Sequence, residues 1–92
     1  MTEKTLERNL RDRVKQLGGL AIKVWPVSVT GLPDRLVLMP GGRVYFVELK
    51  TPGEKPKPHQ LAAHRLLKNL GFTVAVIDSA ETLKKFLEDI SC

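Results

Sequence analysis

Two apolar segments joined by a Pro-Gly-Gly sequence constrain the fold of this chain more than any other feature. The segments RLVLMP (35–40) and RVYFVEL (43–49) are apolar and rich in β-branched residues, as strands are. The sequence PGG between them is typical of a tight turn. We therefore predict an antiparallel hairpin, in which the start of the first strand lies opposite the end of the second.

Flanking segments extend this hairpin into a larger mixed sheet. The segment LAIKVW (20–25) predicts a strand before the hairpin, so that three strands form an antiparallel meander. The segment FTVAVID (72–78) predicts a fourth strand after a helix over residues 59–70. A strand–helix–strand step of this kind favours a parallel pair with a right-handed crossover. The sheet is therefore predicted to contain both antiparallel and parallel pairs.

Helical periodicity accounts for the rest of the chain. Residues 2–17 carry one apolar stripe before Gly18 and Gly19, and the last helix is predicted to begin at a capping box formed by Asp78 and Glu81. The inward-facing residues are predicted to be Leu6, Leu10, Val14 and Leu17 in the first helix, Ala62, Ala63, Leu66, Leu67 and Leu70 in the second, and Leu83, Phe86, Leu87 and Ile90 in the third. The element order is then αβββαβα.

Length and composition limit the class of protein. A chain of 92 residues is expected to form one domain, spanning residues 1–92. It has no apolar run of about 18 residues and no signal-like N-terminus, so no membrane partner and a cytoplasmic location are expected. The lone cysteine, Cys92, agrees with a reducing compartment. Lys and Arg number 15 against 10 Asp and Glu, and this excess favours anionic partners such as nucleic acid.

Charged residues close the second strand of the hairpin. Glu48 and Lys50 project to the same side, about 7 Å apart along the strand, and Leu49 points to the other side. Asp34 begins the preceding strand, so the hairpin brings it close to Glu48. Two adjacent carboxylates repel each other unless they share a cation. Oxygen ligands favour Mg²⁺ or Mn²⁺ over Zn²⁺, so a divalent metal site is expected here.

A simpler interpretation of the same residues stays open at this point. Glu48 and Lys50 would form an ordinary ion pair at a solvated strand end, and Asp34 would only begin a turn after Pro33. The combination of GLPD, an apolar strand ending in ELK, and a basic loop and helix after it favours a site.

The sequences GLPD (31–34) and VELK (47–50) resemble the motifs of the PD-(D/E)xK nucleases, and among them the virus-type replication-repair nuclease (VRR-NUC) domain. The resemblance covers nearly the whole chain, and Gln60 matches the glutamine usual on the following helix. It implies a restriction-endonuclease-like αβββαβα fold with a mixed central sheet. It also implies a Mg²⁺- or Mn²⁺-dependent enzyme that hydrolyses DNA phosphodiester bonds, of bacterial or phage origin.

The same resemblance assigns roles to individual residues. Asp34, Glu48 and the main-chain carbonyl of Leu49 are expected to ligate the metal, and Lys50 is expected to orient or activate the attacking water. Glu7 would be the acidic residue of the first helix and a further candidate ligand, although it can equally form a solvated pair with Arg11. Gln60 would contact the site, unless it is an ordinary first-turn residue. Related nucleases often carry Gln-x-x-x-Tyr where this chain has Gln60 and His64, so no role is assigned to His64.

Basic residues after the second motif are candidates for contact with DNA phosphates, although a solvated charged surface is the alternative. These candidates are Lys55, Lys57, His59, Arg65 and Lys68.

Two classes of function remain open from the sequence. The first is an endonuclease, structure-selective for branched DNA such as a Holliday junction and active in DNA repair as a homodimer. The second is a catalytically silent nucleic-acid-binding or assembly module with the same fold. The motif residues Asp34, Glu48 and Lys50 are all present, which favours the first. Candidate dimer surfaces are the apolar residues of the last helix and the pair Trp25 and Val27.

Overall fold

The computed structural model describes residues 2–24 and 31–91. The helices are α1 (Glu3–Gln16), α2 (Pro58–Asn69) and α3 (Ala80–Ile90). The strands are β1 (Leu20–Lys23), β2 (Arg35–Met39), β3 (Arg43–Leu49) and β4 (Thr73–Ile77), with a short 3₁₀ turn at Pro40–Gly42. The predicted order αβββαβα is confirmed. Trp25, Val27 and Cys92 lie outside the described residues, so the expectations for them stay predictions.

The four strands form one mixed sheet in the order β1-β2-β3-β4. The β1–β2 and β2–β3 pairs are antiparallel, and β4 joins β3 in parallel after the crossover through α2, as the sequence predicts. The turn fixes the hairpin register so that Arg35 pairs with Val47. Asp34 therefore comes opposite Glu48 just beyond this pair.

One face of the sheet, which we call the first face, carries the aliphatic core. Alternate strand residues point to it, and α1 and α3 supply the rest of the cluster. Tyr45 packs edge to face on Phe86, with ring centroids 5.9 Å apart, and so ties β3 to α3. The buried residues of this core are Leu6, Leu10, Val14, Val37, Met39, Val47, Leu49, Ile77, Leu83, Phe86, Leu87 and Ile90.

Residues 2–24 and 31–91 cover the opposite face of the sheet, the second face, only in part. Helix α2 packs beside β4 and buries Ala63, His64 and Leu67. The prediction for α2 was therefore partly wrong, because Leu66 and Leu70 are 49% and 66% exposed. Apolar residues occur around most of this helix, and its rotation is decided by tertiary contacts rather than by periodicity.

The ends of two helices differ in detail from the prediction. Leu17 follows the last residue of α1 and is exposed, so the apolar stripe ends at Val14. Helix α3 is capped by Ser79 and Thr82 rather than by Asp78 and Glu81, and each side chain bonds the backbone of the other. The hydroxyl of Thr82 also accepts a bond from the amide of Asp78, so Asp78 stands just before the cap.

The first candidate dimer surface is corrected by the structure. The four apolar residues of α3 form no exposed strip, because all of them are buried in the core against the first face. These four side chains are therefore not available for contact with a partner. None of the helices within residues 2–24 and 31–91 has the length and apolar character needed to cross a bilayer.

Candidate active site

Asp34 is held in place from three sides at the start of β2. Its backbone carbonyl accepts a hydrogen bond from the amide of Val24 at 2.9 Å, which extends the β1–β2 pairing by one step. Its carboxylate accepts from the amide of Leu49 at 3.2 Å and from the guanidinium of Arg35 at 3.0 Å. The first motif residue is therefore fixed directly to the strand that carries the second.

Glu48 lies buried beside Asp34 on the second face. Its side chain is only 6% exposed, and its Oε2 lies 3.8 Å from Nζ of Lys50, which is buried as well. Strand alternation sends Leu49 between them into the aliphatic core of the first face. The structure thus brings together Asp34, Glu48 and Lys50, and the Glu48–Lys50 pair is buried rather than solvated.

His64 reaches the same carboxylate from α2. Its Nε2 lies 3.7 Å from Oε1 of Glu48, and the two side chains are 5% and 6% exposed. Neither atom has a hydrogen-bond partner among the described residues. Buried polar atoms without partners are uncommon in proteins, because each costs free energy. The close approach of these two side chains therefore costs free energy in the folded protein.

The surroundings of Glu48 and His64 disfavour charge on both side chains. Burial, reinforced by the negative charge of Asp34, raises the pKa of Glu48 from its ordinary value of 4.5 to about 7. Burial and the positive charges of Lys68 and Lys50 lower the pKa of His64, so its imidazole is neutral at neutral pH. An added cation at this position would favour the ionised form of Glu48.

Arg35 connects the motif to α1. Its side chain is 6% exposed, and it donates to the carboxylates of both Asp34 and Glu7. This hydrogen bond holds the pKa of Glu7 below its ordinary value. The guanidinium of Arg35 therefore lies between the carboxylates of Glu7 and Asp34. Arg35 is a partner of Glu7 that the sequence analysis did not consider.

Replacing Arg35 should destabilise the protein. Arg35→Met leaves the carboxylates of Glu7 and Asp34 facing each other without the guanidinium, so we expect a loss of about 2–3 kcal/mol in the free energy of unfolding. The loss stays moderate because these carboxylates are 39% and 30% exposed and are partly hydrated. Urea denaturation at pH 7 measures it. Arg11→Met is the matched control, because Arg11 is 56% exposed and should change stability by less than about 0.5 kcal/mol.

The first turn of α2 packs against the loop that leads to Asp34. Gly31 has φ +83°, and a Cβ at this position would lie 2.5 Å from the backbone oxygen of His59. Only glycine fits this approach without a shift of the helix or the loop. In the same turn, the side-chain oxygen of Gln60 accepts from the amide of Lys57 at 2.8 Å and caps the helix. Gln60 is therefore placed near the motif loop, with its amide oxygen used in the cap.

The five basic candidates for DNA contact are all exposed on the loop after β3 or on α2. The charge of Lys68 contributes to the lowered pKa of His64, which places Lys68 near the buried pair. Lys68 therefore adds positive charge close to the candidate site.

The carboxylates at this end of the sheet fit a hydrated divalent ion. No group of three or more His, Cys, Asp and Glu side chains within residues 2–24 and 31–91 is arranged to enclose a metal. Magnesium requires no such cage, since it usually keeps several waters and takes one or two carboxylates. The carboxylate of Asp34, which is 30% exposed, and the carboxylate of Glu48 beside it are donors of this kind.

Comparison with known proteins gives the family. A scan against models of known protein families finds no match. A solved structure described as "VRR_NUC domain" superposes with a TM-score of 0.88 at 34% sequence identity, over 98% of this chain and 99% of the other. A phage protein named "Putative nuclease p44", from Acyrthosiphon pisum secondary endosymbiont phage 1, is 46% identical over 79 residues, which are 86% of this chain and 85% of the relative. The chain belongs to the VRR-NUC family. The predicted membership of the VRR-NUC family is thereby confirmed, and the sheet and helices described above match the VRR-NUC fold.

Two residues that contact the candidate site, Arg35 and His64, were missed from the sequence. Arg35 could have been found, because it shares its strand face with Val37 and Met39 and must therefore point toward the core. His64 gave no such signal, because its contact with Glu48 depends on the rotation of α2.

Proposed function

We propose that this VRR-NUC domain, spanning residues 1–92, is a metal-dependent endonuclease that hydrolyses DNA phosphodiester bonds. The observation that carries the proposal is the buried Glu48 carboxylate, which has one unpartnered oxygen and lies beside Asp34 and Lys50 at the end of the hairpin. Membership of the VRR-NUC family and the similarity to a phage protein named as a nuclease support it.

The proposed roles follow from the positions of the side chains. Asp34, Glu48 and the carbonyl of Leu49 would hold Mg²⁺ or Mn²⁺, with Glu7 as a further candidate behind Arg35. A bound divalent ion supplies positive charge against the phosphate and makes hydroxide available near neutral pH. Lys50 lies beside Glu48 as a fixed cation that orients the attacking water and offsets charge on the phosphate. Gln60 lines the approach to the motif loop from α2.

Cleavage assays test this proposal directly. Plasmid and branched DNA are incubated with Mg²⁺ or Mn²⁺, and in parallel with excess chelator. Products that require the metal support the nuclease. DNA binding without any metal-dependent product would contradict it and favour the catalytically silent binding module.

The substrate is proposed to be branched DNA, such as a Holliday junction, in a repair context. The basic residues lie on one loop and one helix, and such contacts read the phosphate backbone rather than base sequence. A panel of labelled duplex, nicked, flap and four-way DNA at one salt concentration measures this preference. Equal rates on plain duplex and four-way DNA would contradict it.

Basic residues around the site are proposed to bind phosphates. The double variant Lys57→Ala/Lys68→Ala should weaken binding equally for unrelated sequences, and the slope of log affinity against log salt should become shallower by about 2. Fluorescence anisotropy measures both quantities in the presence of chelator. The double variant Lys15→Ala/Lys84→Ala, on the helices of the first face, removes the same charge and should keep the wild-type slope. Equal slopes for the two double variants would exclude Lys57 and Lys68 from the interface.

We also propose a homodimer, formed through the second face. On this face Leu20 and Ile22 of β1 are 55% and 37% exposed, and Phe72, which packs on Phe46, is 41% exposed. Exposed apolar surface of this kind often marks an interface. A two-fold axis would present two sites in opposed orientation, as paired cuts require.

Light scattering coupled to size exclusion should therefore give twice the 10.3 kDa mass of one chain at micromolar concentration. Phe72→Asp should reduce the measured mass to that of one chain. Lys85→Ala, at an exposed position of α3, should leave the mass unchanged. A wild-type mass of one chain with and without DNA would contradict the dimer.

The phage relative also supports a phage-encoded origin. A location in the cytoplasm is proposed because the proposed substrate is DNA. Fractionation of infected or expressing cells tests the location.

A further inference from the structure

Both carboxylate oxygens of Asp34 accept a hydrogen bond from the protein. Oδ1 accepts from the backbone amide of Leu49 at 3.2 Å, and Oδ2 accepts from Nη1 of Arg35 at 3.0 Å. The Asp34 side chain is 30% exposed, and a side chain this exposed exchanges between rotamers unless other groups hold it. The two donors come from different strands, β3 and β2, and together they fix the direction of the carboxylate. Each oxygen can accept a second bond, so both keep capacity for a further contact.

The guanidinium of Arg35 is held in turn by other groups. Nη1 also donates to the backbone carbonyl of Asp34 at 3.1 Å, and Nη2 donates to the carboxylate of Glu7 on α1. The guanidinium is planar and presents its N–H groups in fixed directions, so these contacts set its orientation. The side chain is only 6% exposed, which leaves little of it accessible to a phosphate. Arg35 is therefore placed to orient Asp34 rather than to contact a substrate.

The surroundings of Glu7 favour a partner of Arg35 over a metal ligand. The guanidinium of Arg35 lies between the carboxylates of Glu7 and Asp34. A hollow of about 140 Å³ beside Glu7 is lined by the basic residues Arg11, Lys23 and Arg35. A divalent ion that approached Glu7 from this hollow would meet their positive charges. Glu7 therefore serves as an anchor for Arg35 on α1.

We propose that Arg35 is a positioning residue of the candidate active site. Its guanidinium, anchored to α1 by Glu7, sets the direction of the Asp34 carboxylate beside Glu48. This inference rests on the proposed nuclease, because it assigns roles within the same site. It goes beyond that proposal by giving a role to Arg35, which the two sequence motifs leave without one, and by giving Glu7 an indirect role in place of contact with a metal.

Hydrogen exchange measured by NMR tests the positioning without metal or DNA. The amide of Leu49 reports on the carboxylate of Asp34, whereas the amide of Val24 reports on its backbone, because it donates to the Asp34 carbonyl at 2.9 Å. Arg35→Lys keeps the positive charge but lacks the planar fork of N–H groups. In this variant the Leu49 amide should exchange about tenfold faster than in wild type, and the Val24 amide should stay within about twofold.

Arg11→Met is the matched control for this measurement. Arg11 lines the same hollow as Arg35 but is 56% exposed, so its replacement should leave both amides within about twofold of their wild-type rates. An unchanged Leu49 rate in Arg35→Lys would overturn the inference. Equal acceleration of the Leu49 and Val24 amides would also overturn it, since Arg35 would then support the strands as a whole rather than the carboxylate.

Steady-state cleavage kinetics test the indirect role of Glu7. Glu7→Gln keeps an oxygen that can accept from Arg35, whereas Glu7→Leu removes the acceptor. We expect kcat to fall by less than about fivefold in Glu7→Gln and by about fiftyfold in Glu7→Leu, with the KM for DNA within about twofold of wild type in both. Circular dichroism verifies that each variant is folded. Equal large losses in the two variants would indicate a direct ligand and overturn the indirect role, as would a wild-type kcat in Glu7→Leu.

The two measurements separate this inference from the proposed function. Metal-dependent cleavage by the wild type together with an unchanged Leu49 exchange rate in Arg35→Lys overturns the role of Arg35 and leaves the nuclease standing. Absence of cleavage by the wild type overturns the nuclease, whereas the exchange rates still decide whether Arg35 positions Asp34.

Discussion

Glu48→Gln should reduce metal-dependent DNA cleavage by at least about a thousandfold while the fold stays intact. The amide keeps the shape of the side chain and its place beside Lys50 and His64, but it removes the negative charge that would hold the cation. Single-turnover cleavage of plasmid DNA with Mg²⁺ and with Mn²⁺ measures the loss, and circular dichroism verifies the fold.

Glu81→Gln is the matched control for this substitution. Glu81 is exposed in the first turn of α3, and the same change of charge there should leave the cleavage rate within about twofold of wild type. A wild-type rate in folded Glu48→Gln would exclude Glu48 from the chemistry.

Glu48→Gln should also remove a loss of stability that the metal-free wild-type protein undergoes as the pH rises. The pKa of Glu48 is raised to about 7 in the folded state, against 4.5 ordinarily, so folding takes up a proton between these values. The protonated Glu48 therefore contributes stability that is fully present below pH 4.5 and is lost as the pH rises through 7. Relative to Glu48→Gln, wild type should lose about 3 kcal/mol of unfolding free energy between pH 4 and pH 8.

Urea denaturation at several pH values in chelator measures this difference. Addition of Mn²⁺ at pH 8 should restore wild-type stability and leave Glu48→Gln unchanged, because only the carboxylate gains from the cation. Glu54→Gln provides a control of opposite sign, since hydrogen bonds from Thr51 lower the pKa of Glu54. If the unfolding free energies of wild type and Glu48→Gln change in parallel with pH, then ionisation of Glu48 costs the folded protein no stability.

The part of the site that the sequence predicts correctly depends on short-range geometry. The Pro-Gly-Gly turn sets the register of the hairpin, and the register alone brings Asp34 next to Glu48. Strand alternation then separates Glu48 and Lys50 from Leu49. These relations hold within one hairpin, so they can be derived without knowledge of how the helices pack.

The parts that were missed depend on contacts between distant elements. Apolar residues surround much of α2, so its periodicity allows several rotations. The structure selects the one that buries His64 against Glu48 and exposes Leu66 and Leu70. Ala63 and Leu67 are buried on the same side as His64, so packing against the sheet determines a rotation that periodicity leaves open. The partner of Glu7 was missed for a similar reason, because Arg35 reaches α1 only after the sheet has formed.

The two faces of the sheet have different consequences for evolution. The aliphatic residues of the first face determine whether the chain folds, while Glu48 and Lys50 and their neighbour His64 lie on the second. Drift in the first face is limited by volume and shape, whereas substitutions on α2 and the preceding loop alter the reaction environment with little change to the main core. Because Ala63, His64 and Leu67 are buried, a mutant library confined to the exposed positions among residues 51–70 would vary the surroundings of the candidate site on a scaffold of nearly constant stability.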